Sequence, residues 1–222
     1  MNSQNLQPAY SKKTYYLVFL LLFLIGTVSV VAFRLWQVKG AGHISFAPQQ
    51  SSFVFKPPSD ALKGKFLLIN GSVKKEQREK NDFEDVNIRE EILQGEKIAT
   101  GKKSQATVEF PNFVKVNLGS NAEIGFNNLI PANFLLSQSL GSVTYELLQD
   151  NVPLSVRSLH VLLTVNSGKS EVAVSDETIA VKVLSGKAKL ALVDLENKTH
   201  VWEIKEGQKA LVNDTQRRVE IK

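Results

Sequence analysis

The chain reads as an all-β protein behind one membrane-spanning helix, and three observations lead there. Residues 14–33 carry no charge and are predominantly apolar. From Phe66 onward, apolar residues recur at every second position in runs of three or four, the period of a strand with one buried face. Turn-forming residues interrupt these runs every eight to twelve positions, the spacing of a sandwich, a barrel or a solenoid.

Composition narrows the function. The 222 residues hold 27 Lys+Arg and 22 Asp+Glu, for a net charge of +5. Five basic residues (Lys12, Lys13, Arg34, Lys39 and Lys56) and no acidic one fall before Asp60. Residues 60–222 are therefore electrically balanced, which excludes a nucleic-acid-binding domain there. With 43% hydrophobic residues the chain is not a disordered polymer. It has no Cys, which excludes disulfides, Cys-ligated zinc, Cys nucleophiles and a lipid-modified N-terminal Cys.

The apolar run Tyr15–Phe33 has 19 residues, or about 28 Å of helix, enough for the hydrocarbon core of a bilayer. Tyr15 and Tyr16 mark one end, and Trp36 follows Phe33 at the other, as an aromatic belt requires. The run is longer than the apolar region of a signal peptide, and Val30-Val31-Ala32 is a poor cleavage site. The expectation is an uncleaved single-pass anchor over residues 14–33 in the cytoplasmic membrane. Lys12, Lys13 and the terminal amine favour a cytoplasmic N-terminus. Residues 1–13 then form a cytoplasmic tail too short to fold, and the C-terminal part lies outside the cytoplasm.

Residues 34–65 read as a linker, broken by Gly40, Gly42, Pro48, Pro57 and Pro58. Its apolar residues Phe46, Phe53, Val54 and Phe55 suggest that part of it docks on the folded domain. The strands follow over residues 66–215. Ala106-x-Val108-x-Phe110 and Val114-x-Val116-x-Leu118 flank a turn at Pro111-Asn112. Ala122–Phe126, Val143–Leu147, Leu159–Val165, Val172–Val174, Ile179–Val183 and Ala188–Leu192 continue the alternation. Lys74–Glu91 has twelve charged residues in eighteen and reads as a solvated hairpin. Asp82–Leu93 is the one stretch with a helical spacing, through Phe83, Val86, Ile92 and Leu93.

A local pattern recurs: a Gly, one or two polar residues, then a small or branched apolar residue that opens a strand. It occurs at Gly71, Gly95, Gly141, Gly186 and Gly207, at intervals of 24, 46, 45 and 21 residues. Gly101, after Thr100, is a further turn candidate. Glycine corners between short strands imply a solenoid-like stack or a rolled sandwich.

The stretch Leu93-x-Gly95-x-x-Ile98-x-Thr100-Gly101-x-x-Ser104-x-Ala106-x-Val108-x-Phe110 resembles the core motif of the FecR domain family. The likeness continues through Ser120-Asn121, Leu140-Gly141-Ser-Val143, Val183-x-x-Gly186-x-Ala188 and Glu206-Gly207-Gln208, over about residues 66–213. The family's later Gly-Thr-x-aromatic element has Gly168-Lys169-Ser170-Glu171 as its nearest counterpart. The resemblance implies an extracytoplasmic all-β domain on a single anchor. In the best-known members it implies signalling, with the outer part sensing an outer-membrane receptor and an inner part controlling a sigma factor. A tail of 13 residues has no room for that inner part.

No catalytic, cofactor or metal site is expected. His43, His160 and His200 are scattered, without a second His at helical metal-site spacing and without a His-Glu-x-x-His. Gly168-Lys169-Ser170 echoes the end of a phosphate loop, but Leu163 stands where its first Gly belongs. Trp202, between polar neighbours, is a candidate outward platform, although core packing is the default for the aromatic set. The leading expectation is a binding or signalling module for an envelope protein or glycan. A single-anchor β bridge for envelope lipid transport comes second and an envelope hydrolase third. Oligomeric state is left open.

Overall fold

The computed structural model describes residues 58–78, 80, 82–149 and 152–222. The expected tail (1–13), the anchor with its ends Tyr15 and Phe33, and the linker through residue 57 lie outside the described residues. Among the described residues no helix is long and apolar enough to cross a membrane.

Eight short strands come first: β1 (Gly64–Asn70), β2 (Val73–Glu76), β3 (Phe83–Asp85), β4 (Glu91–Ile92), β5 (Lys97–Thr100), β6 (Gln105–Phe110), β7 (Val114–Leu118) and β8 (Glu123–Asn128). A 3-10 turn at Pro131–Asn133 leads into the long β9 (Phe134–Leu147). Then follow β10 (Leu154–Ser158), the long β11 (Val161–Val174) and β12 (Thr178–Val193), β13 (Thr199–Lys205), β14 (Lys209–Asn213) and β15 (Arg218–Ile221). Side-chain alternation explains the short strands. In β6, Ala106, Val108 and Phe110 are buried while Gln105 is exposed. The following turn uses Asn112 at φ 58°, a conformation that Asn tolerates well.

All fifteen strands belong to one hydrogen-bonded sheet, and every pairing is antiparallel except β9 with β10. The sheet is folded into two layers. One runs β4-β1-β6-β7-β9-β11-β12-β14-β15. The other runs β3-β2-β5-β8-β9-β10-β11-β12-β13. The three long strands belong to both. Residues 135–140 of β9 pair with β8, whereas residues 141–146 pair with β11. The first half of β11 pairs with β10 and its second half with β9. The first half of β12 pairs with β14 and its second half with β13.

Each of these strands changes layer at a glycine with positive φ: Gly141 (80°), Gly168 (75°) and Gly186 (75°). Gly168 and Gly186 face one another in register. A Cβ on Gly168 would strike the carbonyl oxygen of Ser185, and one on Gly186 that of Ser167. At Gly141 the added atom would lie 2.5 Å from Asn121 O. Only glycine combines this backbone conformation with this approach.

Between the layers lies one continuous core. Phe110, from one layer, meets Phe126 and Phe134 of the other at centroid distances of 5.7 and 5.1 Å. Beside the Gly141 bend, buried Gln138 donates to Gly141 O (2.8 Å) and to Val172 O (3.0 Å). Tyr145 Oη completes the set by donating to Gln138 Oε1 at 2.9 Å. Burial holds the Tyr145 hydroxyl well above its ordinary pKa.

Several expectations need correction. Asp82–Leu93 is not a helix but β3, a turn and β4. Asn87 and Glu90 cap the turn: Asn87 Oδ1 accepts the Arg89 N–H, and Glu90 Oε1 accepts the Asn87 N–H. These local bonds compete with a helix, and β4 buries Ile92 completely. Leu159–Val165 and Val172–Val174 are halves of β11, and Ile179–Val183 and Ala188–Leu192 are halves of β12. Gly141 and Gly186 therefore sit inside strands, not between them. Leu159 belongs to the turn before β11, at φ 48°. Strand β15 lies beyond residue 215, where the domain was expected to end. The charged segment does hold a hairpin, β2–β3. Lys75 within it is buried, however, and pairs with Glu90 (3.0 Å) and Glu96 (3.6 Å).

Two measurements test this account. In urea unfolding, Gly186→Ala is expected to lose about 2–3 kcal/mol. Gly207→Ala, with open space around it, is expected to lose only about 1 kcal/mol. Tyr145→Phe strands a buried acceptor and is expected to lose about 1–3 kcal/mol at neutral pH. In the parent, the unfolded chain alone ionises Tyr145 above about pH 10, so stability falls there as pH rises. The variant loses that component of the alkaline decline.

Candidate functional site

In the two layers, four strands stand at the edges of the described sheet: β3, β4, β13 and β15. Unpaired edges attract further strands unless they are short or charged. β4 has two residues, and β3 has three, two of them acidic. Glu84 of β3 is also engaged by Lys80 at 3.0 Å. β15 alternates charge with apolar residues, and Glu220 pairs with Lys222 at 3.0 Å. β13 differs. Its seven residues pair with β12 in unbroken register, from Val193↔Thr199 to Lys187↔Lys205. It carries no Pro and no bulge.

The inner side of β13 belongs to the core. Ile204 is buried, and Trp202, opposite Leu190, is half-buried against the core cluster. Trp202 thus turns inward rather than outward. His200 stacks on it at 5.8 Å and 27°, and His200 Nε2 lies 2.7 Å from Asp194 Oδ2. Asp194 Oδ1 accepts the N–H groups of Glu196 (2.8 Å) and Lys198 (2.9 Å), closing the turn that leads into β13. The Lys198 N–H, followed by His200 and the Glu196 N–H, holds the Asp194 carboxyl below the usual carboxylate range.

The outer side faces solvent. Register places Arg157, Leu162, Ala191 and Val201 in one row across β10, β11, β12 and β13. Val201 is 60% exposed and Leu162 40%. In the next row, Lys189 lies opposite Glu203. In the row beyond, Lys187 lies directly opposite Lys205. Leu195, in the turn before β13, is 72% exposed. The arrangement offers a backbone edge, an apolar row and a basic patch side by side.

The other sequence-selected residues serve the fold. Gly71 (φ 78°) and Gly95 (φ 91°) join β1 to β2 and β4 to β5, and Gly207 (φ 79°) joins β13 to β14. Gly101 donates its N–H to Ser72 O at 2.9 Å without positive φ. Thr100 and Ser104 of the Leu93–Phe110 stretch act as staples. Thr100 Oγ1 donates to Gly119 O (2.6 Å) and accepts the Ala122 N–H (2.9 Å). Ser104 Oγ accepts the Ser72 N–H (2.9 Å). His160 holds Asp214 at 2.9 Å. Gly168-Lys169-Ser170 lies inside β11 with no helix after it. His43 lies outside the described residues. Among the described residues no group of His, Cys, Asp or Glu is placed to hold a metal ion.

Sequence reasoning noticed Trp202 but not the edge. The alternation in Thr199–Lys205 marks a strand. Its position at an edge depends on which strands pair with β12.

No family model and no curated protein matches the chain. Among solved structures it is similar to two crystal structures of a candidate anti-sigma factor from Parabacteroides distasonis. The structure at 2.50 Å gives a TM-score of 0.50 at 20% identity, over 57% of this chain and 58% of that one. The structure at 1.65 Å gives 0.48 at 20% identity over the same shares. The chain therefore spans less than two thirds of the structures it matches, and the likeness is one of all-β fold.

Acid titration tests the turn that presents β13. The Asp194 contribution is present above the ordinary carboxylate pKa and is lost as pH falls through the lower folded value. Asp194→Asn is expected to remove that acid dependence from the amide exchange of Glu196 and Lys198, measured by NMR.

Proposed function

We propose that this chain is a FecR-like binding and signalling module, without catalytic activity, that recognises an envelope protein. Residues 14–33 anchor it in the cytoplasmic membrane, and the β domain lies on the extracytoplasmic side. The observation that carries the reading is the regular edge of β13, open over Thr199–Ile204 and closed at Lys205, whose N–H donates to Gln208 Oε1 (2.8 Å) and whose C=O accepts the Gln208 N–H (3.0 Å). An edge of free N–H and C=O groups recognises extended polypeptide by strand addition. A protein is therefore favoured over a glycan. The motif likeness to FecR domains supports the reading, as does the all-β fold shared with a candidate anti-sigma factor. The interlayer space is filled by side chains such as Phe110, Phe126 and Phe134, each at most 1% exposed. This favours a binding module over a lipid-carrying groove.

The test uses the full chain in intact cells. Proteolysis is followed before and after the cytoplasmic membrane is opened, together with crosslinking to neighbouring proteins. The expected result is a β domain cleaved from the outer side while the cytoplasmic membrane remains sealed, and one crosslinked envelope protein. Cleavage of residues 60–222 only from the cytoplasmic side would overturn the proposal.

A further inference from the structure

The geometry points to a specific occupant for the β13 edge: an extended, acidic segment of a partner protein, added as a further strand. This deepens the binding role proposed above and rests on it. Three observations converge on the same strand.

The first is charge. Arg157, Lys187, Lys189 and Lys205 share the outer surface around β13 with Glu203, and Glu206 lies next to them with its Oε2 3.4 Å from the Gly186 nitrogen, which leaves the cations in excess. None of the four forms an ion pair among the described residues. On the outer surface of the other layer Lys115 pairs with Glu109 (3.8 Å) and Lys169 with Glu146 (3.3 Å), while Lys182 lies in register between Glu171 and Lys209.

The second is register. Lys187 and Lys205 are directly cross-strand. Like charges at that position destabilise the free sheet. An incoming carboxylate beside Lys205 would remove the repulsion. A second copy of this chain would double the positive charge, which disfavours self-pairing through this edge.

The third is the apolar content. A strand added to β13 sets its residues opposite Val201 on the outer side and Trp202 and Ile204 on the inner side. Side chains alternate along a strand. The fitting sequence therefore has apolar inward residues, and on its outward side an apolar and an acidic residue four positions apart. These fall opposite Val201 and Lys205.

The probes are two end-blocked nine-residue peptides of alternating Val and Thr. In one, the Thr face carries a Leu and, four positions on, a Glu; in the other, Lys replaces that Glu. Binding to the full chain in nanodiscs is followed by NMR shifts of the β13 amides. The acidic peptide is expected to bind about tenfold more tightly than the basic one, and more weakly as salt rises. Methylating the backbone nitrogens on one side of the peptide is expected to abolish binding without touching the protein. Lys187→Glu creates a cross-strand ion pair with Lys205, so the domain stays folded and the peptide preference disappears. Equal affinities, shifts away from β13, or self-association through β13 would overturn the assignment. A photo-crosslinker at Val201, compared with one at Lys115 on the other layer, separates the two levels of the argument. Capture of an envelope protein only from position 115 removes the β13 assignment and keeps the binding role. Capture from neither position overturns both.

Discussion

Three strands that each serve two layers are the constraint on which the rest of this domain depends. β11 alone is 14 residues long, about 46 Å if straight. A straight sheet of such strands would leave its apolar face open to water. Bending at Gly141, Gly168 and Gly186 turns the two halves of each strand toward opposite sides of one core, and the β11–β12 ladder shifts register on both sides of the bend, between Val165 and Ser167 and between Lys169 and Ser170, before continuing. The facing glycines show how tightly the chains pass. A Cβ on either would strike the carbonyl oxygen of the serine that precedes the other, Ser185 or Ser167. The bend is thus enforced twice, by backbone conformation and by contact.

Buried polar groups then select one register. Gln138 and Tyr145 lie on either side of the Gly141 bend and are mutually satisfied. A slip of one residue would expose the apolar face and leave both groups unpaired in the core. Thr100 and Ser104 act similarly where β5 leaves its layer. The Lys75–Glu90–Glu96 cluster ties the charged hairpin to the turn before β5. Residues that resemble a family motif are therefore folding instructions. Their function is to place edges and surfaces elsewhere.

Both outer surfaces mix ion pairs with opposed lysines: Lys115–Glu109 and Lys182 opposite Lys209 on one, Lys97–Glu76 and Lys187 opposite Lys205 on the other. On the β13 side an exposed valine also lies beside a backbone edge with no further strand among the described residues. Small edges elsewhere are short or charged, which blunts pairing. Among the described strands β13 is thus the longest regular one at an edge.

The sequence by itself determined the class and most of the strands, because alternation depends only on neighbours in the chain. Ala106–Phe110 and Val114–Leu118 emerge as β6 and β7 with the expected faces buried. It also picked out the glycines at 141 and 186, though as corners between strands. Whether a positive-φ glycine ends a strand or bends one depends on the partners beyond it, here β14 and β13 for the two halves of β12. The helix expected at Asp82–Leu93 failed for a related reason: side-chain caps from Asn87 and Glu90, together with burial of Ile92, outweighed the helical spacing. The candidate site was the least legible part. Val201, Lys187 and Lys205 carry no signature as residues. They become a surface only when β13 pairs on one side and not the other. Local sequence sets which face of a strand is apolar, but long-range pairing decides which strand is left with an open edge.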